Sequence, residues 1–97
     1  MAQFDVYRLG NGLVIDCQAD LLDQLNSRFV VPLLARADAP PPANRLNPIF
    51  AIAGKDYVMA TQWASAVPRK ELGEVIASLA DRSFEITGAL DVLISGV

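Results

Sequence analysis

The runs QFDVYRL (3–9) and LVIDCQ (13–18) flank Gly10-Asn11-Gly12, and this feature narrows the fold most. Two β-prone runs joined by a glycine-rich connector of this length predict a hairpin. The asparagine and glycines supply the positive φ angles that a tight turn demands. DLLDQLNSR (20–28) has short polar punctuation and predicts a loop or brief turn, and FVVPLLAR (29–36) predicts a strand. Pro32 cannot donate a ladder hydrogen bond, which places it at an edge or a bulge. ADAPPPAN (37–44) is then a stiff surface loop, because consecutive prolines favour extended geometry and forbid helix. A proline-rich recognition motif would need spaced prolines and flanking basic residues, so the loop reading is preferred. NPIFAIAG (47–54) and DYVMATQW (56–63) predict a second hairpin around Gly54-Lys55.

Beyond Pro68 the period changes. In RKELGEVIASLA (69–80), Leu72, Val75, Ile76 and Leu79 fall at helical spacing and predict a helix over 70–80. Gly73 weakens that helix by about 1 kcal/mol relative to alanine. A second helical pattern runs from Ser83 to the end, with Ile86, Leu90, Leu93 and Val97 on one stripe. Ser83 or Asp81 would cap its start, and Glu85 would suit the positive end of its dipole. Several strands followed by a terminal helix make an α+β domain.

The chain of 97 residues forms one domain, 1–97, too short for two independent cores. Its hydrophobic share of 53% is high, since a domain this small buries only about 60% of its unfolded surface. Apolar residues left exposed on a monomer predict a subunit interface, and a symmetric homodimer is the commonest solution. The net charge of −3 and scattered basic residues argue against direct nucleic-acid binding. A single cysteine, Cys17, cannot form an internal disulfide, which suits a reducing compartment. MAQFDVYRLG lacks the pattern of a secretory signal, and no uncharged run approaches the ~20 residues that span a bilayer. A cytoplasmic protein with no membrane partner is expected.

Catalytic chemistry finds few candidates. There is no histidine, so the usual general base and metal ligand is missing, and no cofactor or metal site is expected. LGNGL has glycines but lies between two strands, where a phosphate-cradling loop would precede a helix. Cys17 reads as a small buried hydrophobe. Asp16, Asp20 and Asp23 offer a carboxylate cluster for acid/base work or magnesium, although aspartates in such a stretch serve more often as turn and cap residues. Trp63 can anchor a partner, but core or loop packing is its commoner role. The residues describe a protein that acts by binding, not an enzyme.

Several segments, in order and over almost the whole chain, resemble CcdB, a toxin family of bacterial type II toxin–antitoxin pairs. They are LVIDCQADLLD, FVVPLL, NPIFAIAGKDYVMAT, ASAVP, LGEVIASLADR and the apolar terminal helix. The most telling are Asp16-x-Gln18-x-Asp20-Leu21-Leu22-Asp23 and the closing glycine plus branched residue. The resemblance implies an SH3-like barrel of mostly antiparallel strands with a C-terminal α-helix, dimerising around those helices through Leu90, Leu93 and Val97. It implies only a short helical turn within 70–80. It further implies inhibition of DNA gyrase through the gyrase A subunit and neutralisation by a CcdA-like antitoxin. Contact with DNA would come only indirectly, through that antitoxin, in repression of their operon.

The resemblance places the gyrase-facing patch on Leu21 and Leu22 and on Asp91, Ile94, Ser95, Gly96 and Val97. The family has asparagine at Asp91, phenylalanine at Ile94 and Trp-Gly-Ile where this chain ends Ser95-Gly96-Val97. The family tryptophan stacks on a gyrase arginine, which needs an aromatic face. Loss of such a hot spot costs ~2–4 kcal/mol, roughly a 30- to 800-fold weakening. Two alternatives therefore stand beside the gyrase poison. One is a CcdB-like dimer that binds an antitoxin but has lost or changed its target. The other is a ribonuclease toxin of the MazF type on the same barrel, which would need an acid/base pair near a basic groove.

Overall fold

The computed structural model describes residues 1–96. Seven strands form one curled, half-barrel sheet in which every pairing is antiparallel, closed by a C-terminal helix. This is the α+β, SH3-like arrangement that the sequence led us to expect. β1 (Asp5–Leu9) and β2 (Gly12–Asp16) make the first hairpin. Of its two turn residues only Gly10 takes a positive φ, 59°, as the first central position of a type II′ turn requires. β3 (Ser27–Ala35) pairs with β2; β4 (Ile49–Ile52) and β5 (Lys55–Met59) make the second hairpin. Its turn lies one residue earlier than the Gly54-Lys55 expected, since Lys55 already pairs with Ile52; both turn residues are left-handed, Ala53 at φ 52° and Gly54 at φ 81°, which is a type I′ turn. β6 (Ser65–Pro68), β7 (Val75–Ser78) and α1 (Ser83–Ser95) complete the chain.

The expected helix over 70–80 is corrected. Arg69–Glu71 is a single 3-10 turn, and Val75–Ser78 is a strand paired with the outer edge of β1. The turn agrees with the family resemblance; the helical spacing of Leu72, Val75, Ile76 and Leu79 misleads. A helix here would leave the β1 edge without hydrogen-bond partners. Val75 and Ile76 are β-branched, and ordinary strand alternation turns Val75 outward and Ile76 to the core; a bulge at Ile76, opposite Val6 and Tyr7, lets Ala77 pack against the core as well. Gly73 permits the approach, its N–H donating to the Arg8 carbonyl at 2.7 Å.

Pro32 is corrected too: it sits in the middle of β3, opposite Val14, and not at an edge. On its other flank β3 passes from β5, which pairs with residues 33–35, to β6, which pairs with residues 27–30. The Pro32 carbonyl faces that gap and accepts the Ala60 N–H at 2.9 Å. A strand residue's N–H and C=O point the same way, so the missing donor faces a place where no ladder partner waits.

The main core lies inside the curl. Val6, Leu13, Ile15, Val31, Leu33, Phe50 and Met59 meet Ile86 of α1 there. The opposite face carries a smaller cluster of Tyr7, Val14 and Val30, flanked by Leu9, Val67 and Leu72. The helix buries Ile86 and Ala89 and half-buries Leu90, while Leu93 turns outward. Neither Ser83 nor Asp81 caps α1. The cap position is Arg82, whose guanidinium grips Glu85 in the first turn and stacks 4.8 Å from the Phe50 ring centre. At the far end Gly96, at φ 76°, closes the helix by donating its N–H to the Val92 carbonyl. No described helix is long and apolar enough to cross a membrane.

Candidate functional site

The carboxylates of the 16–23 stretch are held by arginines. Val14 and Asp16 share one face of β2, and Arg28 and Val30 share the facing side of β3, so strand alternation sets Asp16 against Arg28. Arg28 donates from Nε and Nη2 to Asp16 Oδ2 at 3.0 and 2.7 Å, and neither side chain has exposed surface. Asp16 Oδ1 accepts the Gln18 N–H at 3.0 Å. Arg28 Nη1 reaches Asp23 Oδ1 at 3.5 Å, where Arg69 Nη2 also binds at 3.0 Å. Asp20 Oδ1 accepts the Gln3 N–H at 2.8 Å. Asp16 thus makes the local side-chain to backbone bond expected of a turn aspartate, and together with Asp23 it also joins an ion-pair network with Arg28 and Arg69. Among the described residues, no group of three or more Cys, Asp or Glu side chains gathers as for a metal ion.

The same environment sets the protonation of its neighbours. Burial first, then Asp5 and Asp16, push the Tyr7 phenol above its ordinary range, while Arg28 and Arg69 pull the other way. Burial, aided by Asp16, pushes the Cys17 thiol up to about 12. Cys17 is therefore the buried hydrophobe expected, with no thiolate to act as nucleophile. At the surface, hydrogen bonding to Arg82 holds Glu85 below the usual carboxylate range.

The resemblance-derived residues fall in two places. Leu21 and Leu22 lie on a 3-10 turn, Asp20–Leu22, that follows β2 and contains no buried residue. Leu21 is 86% exposed and Leu22 44%. The second place is the end of α1, where Asp91, Ser95 and Gly96 are exposed and Ile94 is 78% exposed. Val97 lies outside the described residues. Among the described residues, no hydrogen bond or ion pair joins the two places: the turn is tied to Gln3, Gln18 and Arg69, while α1 packs on the Thr61–Trp63 turn and the core. Of the residues expected at a dimer interface, Leu93 is exposed and Leu90 is half-buried against the chain's own core.

Among the described residues, Phe84 and Trp63 are the most exposed aromatic side chains. Trp63 is 54% exposed on the Thr61–Trp63 turn, so of the core or loop packing expected for it only the core part is corrected. Phe84, on the first turn of α1, is 89% exposed and was not marked out by the sequence, because the helical stripe through Ile86 drew the apolar face away from it. Phe84, Gly88 and Asp91 stand on one wall of a groove of about 720 Å³, with residues 42–45 and 47–49 on the other.

The sequence that carries this fold and these two exposed places matches a known family model. The model, described as CcdB protein, aligns with residues 3–96. The chain belongs to the CcdB family. This CcdB-family fold is also similar to a solved structure described as an endoribonuclease in complex with its cognate antitoxin, from a mycobacterial species. The TM-score is 0.79 at 14% identity, over 97% of this chain and 94% of that one. At that identity the likeness is one of fold.

Proposed function

We propose that this chain is the toxin of a type II toxin–antitoxin pair, a homodimer that inhibits DNA gyrase by binding its A subunit and is neutralised by a CcdA-like antitoxin. Membership of the CcdB family supports this reading. The observation that carries it is the outward display of Leu21, Leu22 and Ile94 at the places where the family resemblance puts target contacts. Leucines 86% and 44% exposed on one turn are what a binding surface requires and what a plain connector does not. The toxin acts without catalysis: Asp16 and Asp23 are engaged by Arg28 and Arg69, and Cys17 stays protonated. The antitoxin partner draws support from the fold neighbour, itself held in complex with its cognate antitoxin. DNA is reached only through that antitoxin, in repression of the shared operon.

Expression without the antitoxin is expected to arrest growth and to accumulate gyrase–DNA cleavage complexes. Unharmed cells, or death with cut messenger RNA and intact DNA, overturns the gyrase reading. One observation favours a second reading, a family member with a changed target. Ser95 is exposed and has no ring to stack on an arginine. Phe84 cannot stand in for it, lying eleven residues earlier, about 16 Å along the helix.

A further inference from the structure

The Leu21–Leu22 turn is held in an unusual way. A connector between β2 and β3 would ordinarily be fixed by turning one of its leucines inward, but this turn buries no residue. Its backbone is fixed instead by polar side chains, two from outside the turn and one, Asp20, at its start. Gln18, itself buried, donates from Nε2 to the Leu22 carbonyl at 2.9 Å and accepts the Phe29 N–H on Oε1 at 2.9 Å, so one amide bridges the turn to β3. Asp20, though exposed, ties the start of the turn to the Gln3 N–H at 2.8 Å. Arg69 holds the end of it through the carbonyl of Asp23. Two leucines therefore face solvent on a backbone with little freedom to lose.

We propose that Gln18 and Asp20 are positioning residues, which hold the turn so that Leu21 and Leu22 are presented as a preorganised apolar pair to the target protein. The inference rests on the reading that these leucines face the gyrase A subunit. Its physical content is entropic. A loop ordered before binding does not lose that freedom on association, so loosening the turn weakens binding without removing a single target contact.

The test is calorimetric titration of a purified gyrase A subunit with the full chain and its variants. Gln18→Met removes both bridge bonds. Asp20→Ala removes the Gln3 tie, and Asp20→Asn keeps a carbonyl oxygen able to accept it. Each loosening variant is expected to weaken binding about 5- to 30-fold, to speed hydrogen exchange at the Leu22 and Asp23 amides, and to cause no further loss on a Leu21→Ala/Leu22→Ala background. Asp20→Asn is expected to restore both affinity and protection, which a general loss of stability would not do. Should Gln18→Met fail to fold, the exposed Asp20 pair carries the test. Unchanged affinity despite faster exchange, or losses that simply add to those of the leucine variant, overturns the positioning role. Should the leucine variant itself bind gyrase as well as wild type, the target-face reading falls, and the inference with it.

Discussion

Arg28 heads the fully buried side chains by volume, and its charge is answered by Asp16, equally buried, at 2.7 Å. A pair of this kind contributes little net stability while intact, but removing one partner strands a charge in the interior. Arg28→Met is therefore expected to destabilise the fold by about 3–5 kcal/mol, read as a drop of more than about 10 °C in Tm. A loss below about 1 kcal/mol would contradict the pairing. This residue was not legible in the sequence. It stands in the polar segment DLLDQLNSR, where charge signals solvent, and its partner lies twelve positions back on another strand. Cys17 was legible, because a lone cysteine beside Val14 and Ile15 has no histidine to activate it.

At the scale of elements, the hairpins could be read because their turns are written in residues that tolerate positive φ: Gly10 and Gly54. β7 could not. Its apolar spacing matches a helix, and only the open edge of β1, a fact of three-dimensional neighbourhood, makes it a strand. Gly73 marks that choice. A Cβ added there would lie 3.1 Å from the Arg8 carbonyl oxygen and 3.5 Å from its Cβ. Gly73→Ala is expected to destabilise by about 1–3 kcal/mol through this crowding, where a helical segment would be stabilised by the same change. Denaturant unfolding decides between the two signs. The helix end offers a second prediction at this scale: Ser95→Trp is expected to strengthen gyrase inhibition by restoring an aromatic face beside Ile94. No gain would favour the changed-target reading.

The whole molecule leaves a large apolar share outside its core. Phe84, Ile94, Leu93 and Trp63 are exposed, as are Leu21 and Leu22 on the separate turn. The apolar excess that composition announced is thus located on particular elements, which the sequence could not do. Two copies joined around α1 would cover part of it, so light scattering at micromolar concentration is expected to give a dimer mass; a clean monomer would contradict that assembly. The proposed action on gyrase is tested most directly with purified components. The chain, mixed with DNA gyrase and supercoiled DNA and then treated with denaturant and protease, is expected to release linear DNA from trapped cleavage complexes, with less release once the antitoxin is added. Supercoiled DNA left uncut, with gyrase working at its normal rate beside saturating protein, would contradict the account.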